Sequence, residues 1–136
     1  MSYLIDTNVI CELVKKSPDK NVIKWFNKVS DRDLYLSVLT IGEIRKDLGQ
    51  INSDQYREKV RLWLDQDLIA WFENRILPID QHVANKWGLL QAQRNRTLPA
   101  IDSLIAATAL HFDLIIVTRN AKDYDINMLE VINPFL

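Results

Sequence analysis

Four acidic residues have the types and positions that suit metal chemistry. Asp6 and Asp123 each follow a short apolar segment, and Glu43 and Asp102 lie near the starts of two amphipathic segments. Carboxylates brought together in partly apolar surroundings repel one another and raise each other's pKa unless a cation neutralises them. Hard divalent ions prefer oxygen ligands. If the chain brings these four acids together, they predict a site for Mg²⁺ or Mn²⁺.

The other residue types that bind metals or act as nucleophiles give no competing site. His82 and His111 are far apart in the sequence and Cys11 is the only cysteine, so no Cys/His cluster is expected to bind zinc. Cys11 lies in an apolar stretch and has no partner for an intrachain disulfide, which favours a buried, inert thiol and a reducing, intracellular setting.

Each acid taken alone has a simpler interpretation, because a single Asp after a strand is typically a helix cap and a single Glu on a helix is typically solvated. That interpretation is kept for four other acids at predicted caps and turns: Asp19, Asp33, Asp80 and Asp113. The candidate acids differ because Asp6, Glu43 and Asp102 have unusually apolar neighbours. Their similar placement favours one shared site.

The elements that position these acids are predicted from apolar runs and from helical spacing. Short apolar runs indicate strands at residues 3–5, 34–37, 75–79, 114–117 and 129–132. Amphipathic stretches indicate helices at residues 9–14, 19–29, 38–51, 53–72, 100–112 and after Asp80. Parallel strands need helical crossovers, so the alternation predicts an α/β fold: a three-layer α/β/α sandwich with a mainly parallel central sheet.

The same pattern predicts where ligands bind. Ligands of such sheets lie beyond the carboxyl ends of the strands, the region in which the four acids are expected. Thr7 or Asn8 is expected to cap the helix that follows the first strand. Pro78 cannot donate a hydrogen bond to a neighbouring strand, so its strand is expected where that donor is dispensable.

Length and composition indicate one globular domain over residues 1–136, with 48% apolar and 26% charged residues. The N-terminus has no basic leader and no segment approaches the length of a membrane span, so we expect a cytoplasmic protein without membrane contact. The net charge of -1 does not by itself indicate a nucleic-acid partner. When the four candidate acids are set aside, basic residues outnumber acidic ones.

Basic residues near the proposed site predict contacts with a phosphate backbone. No acid occurs between Gln81 and Ile101, a stretch that carries Lys86 and two arginines. Phosphate contacts are predicted for Arg45, Lys46, Arg94, Arg96 and Arg119. Complementing a helix dipole is the alternative role for each of them.

Four segments carry a resemblance to a known family: LIDTN (4–8), SVLTIGEIR (37–45), RTLPAIDSLIAATAL (96–110) and IVTRNAKDY (116–124). In order and spacing the chain resembles the PIN-domain ribonucleases of the VapC type, toxins of bacterial type II toxin–antitoxin modules, and among them the FitB-like subgroup. The resemblance implies a small α/β/α sandwich whose acidic pocket binds Mg²⁺ or Mn²⁺ and hydrolyses RNA to products with a 5′-phosphate and a 3′-hydroxyl. It also implies a homodimer and a VapB-type antitoxin that covers the pocket.

Position by position, the resemblance assigns roles within the site. Asp6, Glu43, Asp102 and Asp123 match the catalytic, metal-binding acidic quartet, with Glu43 as a water-held ligand or general base. Thr7, Asn8, Thr118 and Asn120 would position waters or quartet side chains. Two residues depart from the family pattern. Tyr124 stands where Phe is usual, which is a mild change, and Asn95 stands where Gly is more usual, in the loop on the substrate side.

Two other functions are weighed against this one. A haloacid-dehalogenase-like phosphatase also has an Asp after its first strand, but it needs a second acid two residues on as a proton donor, and that position is Asn8. A catalytically silent PIN domain that binds RNA or protein remains the alternative. Such a domain is expected to have lost one of the four acids, and this chain retains all of them.

Overall fold

A computed structural model of the chain describes residues 1–93 and 98–136. The phosphate contacts predicted for Arg94 and Arg96, and the departure at Asn95, therefore lie outside the described residues. Within the described part of the chain, no helix is both long enough and apolar enough to cross a membrane.

A parallel sheet of five strands forms the centre of the described structure. The strands are β1 (Tyr3–Ile5), β2 (Leu34–Ser37), β3 (Ile76–Leu77), β4 (Ile115–Val117) and β5 (Val131–Ile132), in the order β3-β2-β1-β4-β5. Every neighbouring pair is parallel, which confirms the predicted sheet. Pro78 directly follows β3, which lies at an edge of the sheet where the missing donor is dispensable, as predicted.

Helices follow the predicted amphipathic stretches. They are α1 (Thr7–Ile10), α2 (Lys20–Lys28), α3 (Val38–Leu48), α4 (Asp54–Leu62), α5 (Ile69–Phe72), α6 (Gln81–Ala92) and α7 (Ala100–Phe112). α1 continues as a 3₁₀ helix over Cys11–Val14. The stretch predicted as one helix over residues 53–72 begins at its predicted cap, Ser53, but contains a π-helical segment, Trp63–Leu68, between α4 and α5.

Two apolar cores lie on opposite faces of the sheet because successive strand residues point to opposite sides. Ile5 packs in the first core with apolar residues of α1 to α5, whereas its neighbour Leu4 packs in the second core with residues of α6 and α7. Ile116 and Val117 of β4 divide between the cores in the same way. This arrangement is the predicted three-layer sandwich.

The order of the strands creates a crevice at the carboxyl ends of β1 and β4. From β1 the chain continues to β2 on one side, and β4 lies on the other, so the crossovers diverge at this point, which is where ligands bind in such sheets. Asp6 immediately follows β1 and Thr118 immediately follows β4. The fold therefore brings residues from distant parts of the chain to one edge of the sheet.

The helix cap expected at Thr7 or Asn8 is instead Asp6. The Asp6 backbone is extended (φ -72°, ψ 156°), and its carbonyl accepts hydrogen bonds from the N–H groups of Val9 and Ile10. The prediction was wrong because it assumed a linker between strand and helix, whereas the chain passes from Ile5 into α1 through the single residue Asp6.

Candidate active site

Asp6 is the buried centre of the candidate site, and hydrogen bonds fix it on several sides. Its N–H donates to the carbonyl of Val117 at 2.9 Å, which continues the pairing of β1 with β4. Its Oδ1 accepts from the N–H of Thr7 at 2.8 Å, and its Oδ2 accepts from the Thr118 hydroxyl at 2.8 Å. A carboxylate held this firmly in a crevice is suited to a fixed role in binding.

Thr118 connects Asp6 to the loop that follows β4. While its hydroxyl donates to Asp6, its oxygen accepts from the N–H of Asn120 at 3.1 Å and from the side-chain amide of Asn8 at 3.4 Å. The Oδ1 of Asn8 in turn accepts from the N–H of Arg119 at 3.0 Å. The predicted supporting residues therefore lie together around the base of the crevice.

Thr7 connects the same edge to α3. Its hydroxyl donates to Oε1 of Glu43 at 2.6 Å and lies 3.3 Å from the hydroxyl of Thr40. Thr40 is fully buried, and the sequence reasoning did not identify it. Glu43 is thereby held beside α1 although it lies 37 positions beyond Asp6 in the chain.

Tyr124 makes the contact that joins two of the four acids. Its buried hydroxyl lies 3.3 Å from Oδ2 of Asp6 and 3.4 Å from Oδ1 of Asp102. Asp102, in the first turn of α7, is thus within reach of the same hydroxyl group as Asp6. In the sequence, Tyr124 is a mild departure from the Phe that is usual in the family, and its additional hydroxyl is the signal for this contact.

Two of the four acids have raised pKa values, partly because other acids of the quartet are charged. Burial raises the pKa of Glu43, and the charges of Asp6 and Asp102 raise it further. Burial also raises the pKa of Asp102, with added contributions from Asp6 and Asp123. Asp123 itself is exposed. The predicted quartet is therefore electrostatically coupled, with Asp6 innermost and Asp123 facing solvent.

The basic residues described near this edge differ in their surroundings. Arg45 forms an ion pair with Asp65. The guanidinium of Arg119 stacks 3.9 Å from the ring centroid of Phe135. Lys46 is exposed, and its charge lowers the pKa of Glu43, so it is electrostatically coupled to the quartet.

The histidines and the cysteine do not contribute to this edge. His82 and His111 stack with ring centroids 5.5 Å apart, although they are distant in the sequence, and His111 is at the opposite end of α7 from Asp102. Burial raises the pKa of the Cys11 thiol to about 12. This pKa is consistent with the inert thiol predicted from the sequence.

The oxygen atoms at this edge of the sheet can meet the needs of a divalent cation. Within residues 1–93 and 98–136, no three Asp, Glu, His or Cys side chains form a ready-made set of metal ligands. The oxygens of Asp6 and Asp102 nevertheless flank one hydroxyl, and the raised pKa values of Glu43 and Asp102 show acids that a cation would stabilise. These features fit Mg²⁺ or Mn²⁺, which retain several water ligands and need few direct protein ligands.

Comparison with known proteins identifies the family. The model of the PIN domain family matches residues 3–127. The chain belongs to the PIN-domain family. Among curated PIN-domain relatives it is 30% identical over 135 residues to Toxin FitB of Neisseria gonorrhoeae, covering 97% of both chains. It is also 30% identical over 135 residues to VapC ribonuclease Y4jK of Sinorhizobium fredii, covering 97% of this chain and 96% of that protein.

A solved structure extends the similarity to three dimensions. The crystal structure of FitAcB from Neisseria gonorrhoeae matches this PIN domain with a TM-score of 0.90 and 29% identity, covering 98% of each chain. The predicted PIN-type sandwich and the FitB-like resemblance are thus confirmed.

Proposed function

We propose that this PIN-domain protein is a metal-dependent endoribonuclease that acts as the toxin of a type II, VapBC-type toxin–antitoxin module and inhibits translation and growth. The observation that carries the proposal is the convergence of Asp6 and Asp102 on the Tyr124 hydroxyl, at the edge of the sheet where ligands bind. The curated relatives named as a toxin and as a ribonuclease support it. We further propose that residues 1–136 form this single domain.

The proposed chemistry assigns a role to each acid. A bound Mg²⁺ or Mn²⁺ ion supplies charge neutralisation and the activation of a water molecule. Asp6 and Asp102 would hold the ion, and Asp123 would contribute to metal binding from the side that faces solvent. Glu43 would accept the proton of the attacking water, because its raised pKa brings it closer to neutral pH. The proposed products have a 5′-phosphate and a 3′-hydroxyl.

The supporting residues act by orienting these acids. Thr7 fixes one oxygen of Glu43 at 2.6 Å, and Thr118 fixes one oxygen of Asp6 at 2.8 Å. Asn8 donates to Thr118 through its side-chain amide, and Asn120 donates through its backbone N–H. Removing a side chain that positions metal ligands commonly changes activity about 10–100-fold, so Thr7, Asn8 and Thr118 are proposed as part of the working site. Asn120 is proposed to support Thr118 through its backbone.

RNA contacts are proposed for the basic residues named from the sequence. Lys46 has the strongest support, because it is exposed and electrostatically coupled to Glu43. To reach a phosphate, Arg45 would have to break its ion pair with Asp65, and Arg119 would have to leave the ring of Phe135. The same role is proposed for Arg94 and Arg96, outside the described residues.

An antitoxin and a second copy of the chain are the proposed protein partners. A groove of about 770 Å³ runs beside α4, with Leu13, Leu62 and Trp63 among its lining residues. Its apolar lining suits an amphipathic segment of a partner. Because the resemblance implies a VapB-type antitoxin, we propose that a segment of this antitoxin occupies the groove. Homodimerisation is proposed from the resemblance.

The test of the proposal is cleavage of RNA by the purified chain. We expect cleavage with Mg²⁺ or Mn²⁺, loss of cleavage with EDTA, recovery when the ion is added back, and 5′-phosphate ends on the products. Cleavage that is unaffected by EDTA would contradict the metal-dependent mechanism. RNA binding without cleavage under every metal condition would favour the alternative, a catalytically silent PIN domain that acts as a binding module.

A further inference from the structure

The hydroxyl of Tyr124 is placed between two carboxylates that belong to different elements. Tyr124 is 2% exposed and ends a 3₁₀ turn, Ala121–Tyr124, in the loop after β4. Its distances of 3.3 Å to Asp6 and 3.4 Å to Asp102 are longer than an ideal O–H···O bond. Such distances are expected when one proton is shared between two acceptors.

The side chain of Tyr124 supplies the hydrogen atom for these two contacts. A phenol hydroxyl can donate a hydrogen bond, and both carboxylates can accept one. Phe has a ring of similar size without this donor, so it could not connect the two carboxylates.

The hydrogen bonds leave particular carboxylate oxygens available. A carboxylate oxygen has two acceptor sites, and Oδ2 of Asp6 uses both, for the hydroxyls of Thr118 and Tyr124. Oδ1 of Asp6 accepts the N–H of Thr7 and retains one acceptor site. On Asp102, the Tyr124 hydroxyl uses one acceptor site of Oδ1. Among residues 1–93 and 98–136, the remaining acceptor sites of the pair therefore lie mainly on Asp6 Oδ1 and Asp102 Oδ2.

We propose that Tyr124 is a positioning residue that spaces Asp6 and Asp102 and directs their free oxygens toward a divalent cation. This inference rests on the proposed function, because it concerns the same metal site. It makes Tyr124 a determinant of metal affinity in this chain. The tyrosine does not contact RNA or the reacting atoms in this role.

The test compares Mn²⁺ binding by the full chain and by the Tyr124→Phe variant, without RNA, from the electron paramagnetic resonance signal of free Mn²⁺. We expect Mn²⁺ to bind about 10–100-fold more weakly to the variant, the range observed when residues that orient metal ligands are removed. The matched control is Tyr56→Phe, which removes a hydroxyl from α4, where the ring packs against the first core. Its Mn²⁺ affinity should equal that of the wild type.

RNA cleavage then provides a second readout. The variant should require more Mn²⁺ for half-maximal activity and recover most of its kcat at saturating Mn²⁺, whereas a purely structural role would lower the melting temperature and leave metal affinity unchanged. Equal or tighter Mn²⁺ binding by Tyr124→Phe would overturn the inference. Weaker binding by the variant, together with a wild type that binds Mn²⁺ but cleaves no RNA, would support the role of Tyr124 and contradict the proposed function.

A measurement on the wild type covers the case in which the variant does not fold. The chain has four tyrosines, and ¹³C labelling of their Cζ atoms reports on their hydroxyl groups by NMR. Titration with Mg²⁺ should shift one of the four resonances, since the ion neutralises the charge of the two carboxylates that accept from Tyr124. Four resonances that do not respond to saturating Mg²⁺ would overturn the inference.

Discussion

Replacing Thr118 with Val tests whether the hydrogen bonds around Asp6 stabilise the crevice. Thr118 is fully buried, and its hydroxyl donates to the Asp6 carboxylate at 2.8 Å. Val has nearly the same shape as Thr, so the substitution removes the hydroxyl and leaves the packing in place. It also removes the acceptor of the Asn120 N–H and of the Asn8 side-chain amide. Asn120 is exposed and Asn8 is half-buried, so water can replace that acceptor.

The size of the effect follows from these contacts. A hydrogen bond to a charged group contributes about 1.5–3 kcal/mol, so we expect Thr118→Val to lower the free energy of unfolding by about 2 kcal/mol. For a domain of this length, that loss corresponds to a fall in melting temperature of about 8 °C. Because Asp6 would be less firmly oriented, RNA cleavage should also fall by about 10–100-fold.

The assay is thermal unfolding followed by circular dichroism, with Thr108→Val as the matched control. Thr108 is equally buried, but its hydroxyl donates to the carbonyl of Leu104 within α7, so its loss should lower the free energy of unfolding by less than about 1 kcal/mol. Thr118→Ser, which retains the hydroxyl, should keep most of the activity. If Thr118→Val and Thr108→Val melt at the same temperature, the hydrogen bonds of Thr118 do not stabilise the crevice as argued.

Substitutions of three other residues test separate parts of the site. Thr7→Val should lower kcat by about 10–100-fold and leave KM unchanged, because Thr7 orients Glu43 and does not contact RNA; a change confined to KM would contradict this. The pKa of Asp102 is raised in the metal-free folded protein. Asp102 therefore keeps its proton there at pH values at which the unfolded chain has lost it. The contribution of Asp102 to stability falls as pH rises above about 4. Asp102→Asn should therefore raise the melting temperature of the metal-free protein at pH 7 while cleavage is lost, and a lower melting temperature would refute the reasoning. Arg119→Ala should lower stability by about 1 kcal/mol through loss of its stacking on Phe135. It should also lower the slope of log affinity for RNA against log salt concentration by about 1, and an unchanged slope would contradict the proposed phosphate contact.

The elements of this fold could be predicted because their signals are local. The predicted helix 100–112 coincides with α7. Pro78 indicated the edge position of β3 because a residue without an N–H is excluded from a central strand. The π-helical segment Trp63–Leu68 could not be predicted, since the apolar spacing of the stretch is compatible with one uninterrupted helix.

The site could be predicted only in part, because its contacts join residues far apart in the chain. The parallel sheet and the rule for ligand sites indicated that Asp6 and Asp102 converge. The hydrogen bond between Thr118 and Asp6 spans 112 positions, and that between Tyr124 and Asp6 spans 118. Such contacts depend on tertiary packing, and hydropathy patterns do not report on them. The same applies to Arg45, whose ion pair with Asp65 joins α3 to the π-helical segment.

The central claim is that Asp6 has two roles: it caps α1, and it is required for metal-dependent RNA cleavage. The most direct measurement is the rate of RNA cleavage in Mg²⁺ by Asp6→Asn and by Asp19→Asn. Asp19 is the matched control, because its side chain caps α2 by accepting from the N–H of Asn21 at 2.8 Å, and Asn caps helices as well as Asp does. We predict that Asp19→Asn cleaves at the wild-type rate and that Asp6→Asn cleaves at less than about one hundredth of it, a loss at or beyond that typical of supporting residues. Equal cleavage by the two variants would show that Asp6 is only a cap and would contradict the account.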